Sequence, residues 1–222
     1  MHMDREQRKQ LKKTYLEAQR KTDFAFQFWE VRKEQIWQVR EIDAASIERW
    51  TDGELEGKLV DYVLNQFDHA GNPPKHANLQ QCERGVLLQL PPGVQAVFAT
   101  YLFESSLSLN GSFWDFFYQN AGAYALETLN GYKLMGNQEM AGIVEQGMGA
   151  YLKMRHAGEI KELMGELHQW PVEENHYVAI NHKSFKELDL LCGEGRPKLL
   201  ETLRVQKLSF IRKNPELFVT KP

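Results

Sequence analysis

The residues best suited to metal chemistry lie in one short stretch of the chain. Glu173, Glu174, His176 and His182 combine carboxylates with imidazoles, which are ligands that a catalytic zinc site uses. No HExxH motif and no paired CxxC motif occurs, and the surrounding segment has the composition of a loop or short extended structure. We therefore interpret these residues as surface groups, and we expect no catalytic residue, no metal site and no cofactor. An uncharacterised metal-dependent enzyme is the alternative.

Two cysteines and one glycine-rich segment could support other chemistry. Cys82 and Cys192 each fall on the apolar side of a predicted helix, so core packing accounts for them better than nucleophilic catalysis. The segment 193–198 has the glycines of a phosphate loop but lacks the Walker spacing and follows a predicted helix, so we discard that interpretation. Reduced cysteines, the lack of an apolar leader and the lack of a membrane-length apolar run predict a cytoplasmic protein without membrane contact.

Charge is distributed unevenly along the chain. Residues 1–21 carry a net charge of +4 and residues 196–222 carry +5, whereas residues 22–195 carry −12. The acidic residues are densest in one run, which we consider as a partner-binding surface: Glu41, Asp43, Glu48, Asp52, Glu54, Glu56 and Asp61. An ordinary solvated helix face is the alternative interpretation of this run.

The basic amino-terminal segment raises the question of direct nucleic-acid binding. Its basic residues lie on an amphipathic helical pattern that would dock equally well on a protein surface: Arg5, Arg8, Lys9, Lys12, Lys13, Arg20 and Lys21. The acidic body would repel a phosphate backbone. We therefore expect no direct contact with nucleic acid.

Most segments of the chain show the periodicity of helices. The sequence nowhere shows predicted strands that alternate with predicted helices. Thr51 and Glu54 form a capping box, after which apolar residues recur at 3.6-residue spacing from Leu55 to Phe67. Later helices are predicted at about 77–90, from Val94, at 140–152, at 160–170, from Ser184, and from Pro197 to about Arg212. We predict one all-α domain over residues 51–222 and a helical extension over residues 1–50. Phe24–Phe28 also allows a strand, with Ile36–Ile42 as its hairpin partner.

The sequence from Leu109 to Gly122 packs five aromatic residues into six consecutive positions. Asn110 and Gly111 predict a turn, and Ser112 can cap the short helix that follows. We expect four rings to share one face of this helix and Gly122 to adopt a left-handed conformation at its end; the rings are Phe113, Phe116, Phe117 and Tyr124. Burying such rings stabilises a fold by about 1.5–3 kcal/mol each, so a packing centre where several helices meet is the favoured interpretation.

This motif resembles the hallmark of the DNA-mimic-protein family (DMP-type). The resemblance covers about residues 55–218 and includes Leu134-Met-Gly136 and the closing segment from Leu208 to Phe218. The motif residues are carried over as structural only: Asn110, Gly111, Phe113, Phe116, Phe117, Asn120 and Gly122. Ser112 stands where the family usually has a second glycine.

The resemblance implies an all-helical and dimeric protein. It also implies a non-enzymatic function, because the best-described family member is an acidic decoy that occupies a DNA-binding regulator in place of DNA. An interaction or immunity-type protein without mimicry is the alternative. If the acidic run binds the partner, we expect charge reversal at Asp52, Glu54 and Glu56 to weaken binding with little change in melting temperature.

Overall fold

The computed structural model describes residues 39–70, 79–110, 116–117, 120–156 and 195–220. Every regular element within these ranges is helical, which confirms the predicted all-α fold. The α-helices are α1 (Ala44–Arg49), α2 (Asp52–His69), α3 (Leu79–Leu87), α4 (Pro92–Asn110), α5 (Ala125–Leu134), α6 (Gln138–His156) and α7 (Arg196–Lys213). In the same described ranges, two short 3-10 helices span Asn120–Tyr124 and Pro215–Leu217.

Helix α2 forms where the sequence predicts an amphipathic helix. Leu55, Leu59 and Val63 are fully buried, as expected for apolar residues at 3.6-residue spacing. At its start, the Glu54 carboxylate accepts hydrogen bonds from the backbone N–H of Thr51 at 3.1 Å and from the Thr51 hydroxyl at 2.7 Å. Glu54 therefore makes the predicted contact with the residue that caps the helix.

Helix α4 lies at the centre of the fold and contacts α2, α5 and α7. One side contributes Val94, Val97 and Phe98 to a core shared with α1, α2 and the end of α7. The other side contributes Phe103 and Leu107 to a second core shared with α5, α6 and the start of α7. A helix that is apolar on more than one side must be covered on more than one side, so its composition is consistent with its central position.

Helices α4 and α5 approach each other closely at one point. A Cβ atom on Gly131 would lie 3.0 Å from both the Cα and the carbonyl oxygen of Ala96, which only a glycine avoids. Nearby, the Thr128 hydroxyl donates a hydrogen bond to the carbonyl of Ala99 at 3.1 Å. The small residue and the hydroxyl together let the two helices pack with their backbones close together.

Two expectations about the end of the aromatic motif are wrong. Tyr124 does not share a face with Phe116 and Phe117, because residues 120–124 wind as a 3-10 helix, whose shorter turn changes the direction of side chains. Its ring packs edge to face on Phe98, at a centroid distance of 5.7 Å, in the core on the α2 side. Gly122 is also not left-handed, since the positive φ among the described residues belongs to Gly136, at 75°.

Glycine at position 122 has a different physical reason. A Cβ atom there would lie 2.5 Å from the carbonyl oxygen of Phe117 and 3.0 Å from that of Phe116. Glycine at this position therefore lets the backbone approach these two carbonyls closely. Its φ lies outside the left-handed region, so the reason for glycine is space and not backbone conformation. Gly136, which follows α5, is the residue that needs the left-handed region.

Helices α6 and α7 confirm two further predictions from the sequence. In α6, Met140, Val144 and Met148 are buried along the predicted apolar stripe. Helix α7 has Pro197 in its first turn and ends at Lys213, directly before Asn214 and Pro215. The helices predicted at 160–170 and from Ser184 lie outside the described residues.

Residues 39–50 pack against the helical body. Val39, Ile42 and Ile47 are buried, and the Asn65 side chain donates a hydrogen bond to the carbonyl of Val39 at 2.9 Å. Ile42 and Thr220 are joined by three hydrogen bonds. The Ile42 N–H donates to the Thr220 hydroxyl, and the Thr220 N–H and hydroxyl both donate to the Ile42 carbonyl. Residues 39–42 adopt no regular secondary structure. The rest of the predicted extension, including residues 24–28, lies outside the described residues, so the boundary at residue 51 stays a prediction.

Candidate partner-binding surface

The seven acidic residues expected to bind a partner do not form a uniform surface. Their positions run from the segment before α1 to the middle of α2, and they differ in exposure. Five are exposed, namely Glu41, Asp43, Glu48, Asp52 and Glu54, whereas Glu56 and Asp61 are partly buried. The chemistry available to a partner therefore depends on what each carboxylate already contacts within the chain.

Asp43 and Glu54 each hold the start of a helix. Asp43 precedes α1 and its Oδ1 atom accepts a hydrogen bond from the Ser46 N–H at 2.6 Å. Hydrogen bonds from the side chain and backbone of Ser46 lower the pKa of Asp43, and those from the side chain and backbone of Thr51 lower the pKa of Glu54. Both groups thus remain ionised at neutral pH, but each already accepts hydrogen bonds from its own chain.

Asp52 forms an ion pair with Arg212 of α7, with 2.7 Å between Oδ1 and Nη2. The same guanidinium donates hydrogen bonds to the carbonyls of Ile47 and Trp50 at the end of α1. The last carbonyls of a helix lack donors within the helix, and a cation favours that end. Arg212 therefore caps α1, and Asp52 orients the capping arginine.

Glu56 belongs to a buried group of charges at the meeting point of four helices. The Nζ atom of Lys207, whose side chain is 1% exposed, lies 2.6 Å from Glu56 Oε1 and 2.8 Å from Glu104 Oε2. The Tyr132 hydroxyl donates to Glu104 Oε1 at 3.0 Å. Burial raises the pKa of Glu104, while the charge of Lys207 opposes this rise. We refer to Glu56, Glu104, Tyr132 and Lys207 as the Lys207 cluster.

The Lys207 cluster changes one expectation from the sequence. Reversing the charge of Glu56 would place a second cation beside the buried Lys207 and leave Glu104 as the single carboxylate for both, and like charges held together in a buried site are costly. Charge reversal at Asp52, Glu54 and Glu56 together is therefore expected to lower the melting temperature, whatever it does to binding.

The charge of the acidic run is met in part by α7. Residues 39–70 carry eight acidic and three basic groups, a net charge of −5, and residues 195–220 carry six basic and two acidic groups, a net charge of +4. Helix α7 contacts both α1 and α2. A partner that approaches this face would therefore meet a weaker negative electrostatic potential than the acidic run alone would produce.

A second buried ion pair was not anticipated from the sequence. Arg84 of α3 donates from Nε and Nη2 to Glu127 Oε1 at 2.9 and 2.7 Å, and Glu127 is 5% exposed. Beside it, the Tyr124 hydroxyl donates to Glu83 at 3.2 Å, and burial raises the pKa of both Glu83 and Tyr124. Arg84 and Glu127 are 43 positions apart, so no local spacing signals their pairing.

The described part of the aromatic motif is a packing site. Phe116 and Phe117 are fully buried and stack edge to face at 5.0 Å, and Phe116 meets Phe103 of α4 at 4.9 Å. A Cβ atom on Gly147 of α6 would overlap the ring of Phe117, so glycine there admits the ring. Asn110 ends α4 and Asn120 begins a 3-10 helix, whereas Gly111 and Phe113 lie outside the described residues.

Most residues that were considered for metal binding, nucleophilic catalysis or nucleic-acid contact lie outside the described residues. This holds for Glu173, Glu174, His176, His182 and Cys192, and also for the basic amino-terminal segment. Cys82 is half-buried and carries a free thiol. In the part of the chain that the structure describes, no group of three or more His, Cys, Asp or Glu residues could hold a metal ion. The described helices also include none that is long and apolar enough to cross a membrane.

These observations define an all-α protein with an aromatic packing centre and several buried charge pairs. Residues 88–206 match the family model of the DMP19-like protein. This segment is more than half of the 222 residues and contains the aromatic motif, so the chain belongs to the DMP19-like family. Comparison with curated proteins and with solved structures gave no significant match.

The limits of the family match bear on the acidic run. The match is narrower than the expected range of 55–218, and it begins after α2. All seven acidic residues therefore lie outside the matched segment, whereas Phe116, Phe117 and Glu104 lie inside it. Family membership alone consequently assigns no role to the acidic run.

Proposed function

We propose that this protein is a non-enzymatic protein that binds another protein, and that its partner is a DNA-binding regulator which it occupies in place of DNA. The family resemblance supports this proposal, since it implies an acidic decoy. The observation that carries it is the group of exposed carboxylates from Glu41 to Glu54. As further parts of the proposal, the protein is cytoplasmic and homodimeric and does not itself contact nucleic acid.

The number of exposed carboxylates limits the extent of mimicry. Duplex DNA carries one charge per ~1.7 Å of helix axis, so an entire protein face about 40 Å long would need roughly a dozen charges on one side. Five carboxylates are exposed, but Arg212 already offsets the charge of Asp52, so about four can stand in for phosphates. This number suits contact with one DNA-reading element of a regulator, and binding of this kind should weaken steeply as salt increases.

A second candidate is protein binding without mimicry, as in a general interaction or immunity-type protein. The charge balance within the molecule favours it, because Arg212 and Lys207 already pair with Asp52 and Glu56. The position of the acidic run outside the family match favours it as well. The two candidates differ in whether duplex DNA competes for the partner.

The first experiment tests that competition. The protein is immobilised, nuclease-treated lysate is passed over it at low salt, and duplex DNA is used for elution. Mimicry predicts that DNA releases a DNA-binding protein, and that the purified regulator then binds either a fluorescent duplex or this protein but not both. If the retained protein binds DNA and this protein at the same time, mimicry is wrong and binding without mimicry becomes the better account.

Two double variants with the same change in charge locate the binding surface. Glu41→Lys with Glu48→Lys alters the exposed acidic run, whereas Glu139→Lys with Glu201→Lys alters exposed positions on α6 and α7. The first pair should weaken binding of the purified regulator at least about tenfold more than the second, which corresponds to about 1.4 kcal/mol. Equal losses would show that net charge, and not this surface, governs binding. Light scattering on the parent protein tests the homodimer.

A further inference from the structure

The Lys207 cluster contains one more negative group than positive groups. Glu56 from α2 and Glu104 from α4 both contact the single ammonium group of Lys207 from α7, and Tyr132 from α5 supplies a neutral hydroxyl. Lys207 can donate to both carboxylates at once, because an ammonium group has three donors. The geometry therefore satisfies the hydrogen bonds but leaves one unbalanced negative charge in a largely enclosed site.

We propose that the Lys207 cluster is a buried proton-binding site, in which Glu104 takes up one proton from solvent while Lys207 and Glu56 remain as an ion pair. An uncompensated buried charge is costly, and a proton is the smallest ligand that removes it. Glu104 is the more enclosed of the two carboxylates, at 11% exposed against 21% for Glu56. The raised pKa of Glu104, caused first by burial and further by the neighbouring charge of Glu56, agrees with this assignment.

The two oxygens of Glu104 have partners that tolerate the proton differently. Oε2 contacts the Lys207 ammonium, which has no acceptor, so a proton there would face another proton donor. Oε1 contacts the Tyr132 hydroxyl, which can rotate from donating a hydrogen bond to accepting one. The proton therefore resides on Oε1, and the contact between Lys207 and Oε2 is retained.

Proton uptake makes the packing of α7 dependent on pH, with a defined sign. A carboxyl group whose pKa is higher in the folded state binds its proton more tightly there than in the unfolded chain. Its stabilisation is complete below the pKa of the unfolded chain and is lost as pH rises through the raised pKa. The site thus favours the folded state on mild acidification, which is opposite to the effect of an exposed and salt-bridged glutamate.

The test compares the melting temperature of the parent with that of Glu104→Gln, which keeps the shape of a protonated carboxyl group. Glu139→Gln, at an exposed position on α6, is the matched control. From about pH 8 to about pH 5, the melting temperature of the parent minus that of Glu104→Gln should rise by about 2–4 °C. The same difference for the control should not rise. A difference that falls or stays constant on acidification would show that Glu104 remains ionised beside Lys207, and would overturn the proposal.

Two further measurements keep the proposal testable if Glu104→Gln fails to fold. Carbon-13 NMR titration of the parent should place the midpoint of Glu104 above about 4.3, the value for a glutamate in a model peptide. In Glu56→Gln, Glu104 becomes the single carboxylate partner of Lys207, so its midpoint should move down relative to the parent. A Glu104 midpoint at or below the model-peptide value in the parent, or an unchanged midpoint in Glu56→Gln, would contradict proton uptake by Glu104 in this cluster.

Discussion

The aromatic centre around Phe117 and the Lys207 cluster both join several helices in the interior, but they do so with opposite chemistry. Phe116 and Phe117 connect α4 and α6 through rings that need only to be covered. Lys207 connects α7 to α2 and α4 through charges that need particular partners at 2.6 and 2.8 Å. Burial of apolar surface in the aromatic centre stabilises the folded state and depends little on direction. The charges of the Lys207 cluster stabilise it only in a geometry that pairs them, and they are costly when buried without partners.

This contrast indicates what each region contributes to the fold. The aromatic centre provides stability, and it should tolerate apolar substitutions that keep its volume but not ones that overfill it. The Lys207 cluster defines how α7 must lie against its neighbours, because a shifted helix would leave its ammonium group without carboxylates. Variants in the two regions should accordingly differ in size of effect and in their dependence on pH.

The largest effect is expected from Phe117→Ala. Removing a fully buried ring leaves a cavity, and the free energy of unfolding should fall by about 3–5 kcal/mol. Urea unfolding measures this change, and Phe117→Leu, which keeps more of the volume, should lose clearly less. If Phe117→Ala unfolds at the same urea concentration as the parent, the ring is not a core residue.

A smaller loss is expected from Gly147→Ala in the same region. The added methyl group would overlap the Phe117 ring, and overpacking of this kind costs about 1–3 kcal/mol. Gly142→Ala is the matched control on the same helix, because a Cβ atom there meets nothing within 4 Å and alanine favours helix. The loss from Gly147→Ala should shrink in a Phe117→Leu background. Equal losses in both backgrounds would mean that the methyl group clashes elsewhere.

Two of the ion pairs to α7 provide the next comparison. Glu56→Ala removes a partner from a lysine that is 1% exposed, and the expected loss is about 1.5–3 kcal/mol, typical of a hydrogen bond to a charged group. Asp52→Ala removes a partner from an arginine that is 32% exposed, and the expected loss is about 0.2–1 kcal/mol. Thermal unfolding of both variants at equal ionic strength tests this order, and the reverse order would contradict the importance of burial.

The smallest effect concerns the two capping carboxylates. The pKa values of Asp43 and Glu54 are lowered in the folded state, so their contribution is present above the pKa of the unfolded chain and is lost as pH falls. Asp43→Asn and Glu54→Gln should therefore reduce the loss of melting temperature on acidification. Unchanged acid sensitivity in both variants would show that these carboxylates are not stabilised by the helix starts.

Much of the fold could be predicted because apolar spacing and capping signals act over one or two turns of helix. The buried faces of α2 and α6, the contact between Thr51 and Glu54, and Pro197 in the first turn of α7 follow from such signals. The 3-10 conformation of residues 120–124 did not follow from them, and neither did the contact that it allows between Tyr124 and Phe98 of α4. The sequence also does not show why residue 122 is a glycine, because the backbone carbonyls that leave no room for a side chain there are brought close by the fold.

The candidate surface was less predictable than the fold. The sequence shows a run of carboxylates, but it does not show that Glu56 faces Lys207, 151 positions away, while Glu48 is exposed to solvent. Exposure and pairing are properties of the tertiary arrangement, and they determine which charges a partner would encounter.

The sequence by itself determined the all-α class, the starts of α2 and α7 and the family, because these depend on periodicity, on local capping signals and on a contiguous motif. The tertiary structure alone decided which acidic residues are paired and where an unbalanced charge is buried. The physical reason is range: helical propensity and capping act between near neighbours in the chain, whereas ion pairs and close backbone contacts join residues that only folding brings together.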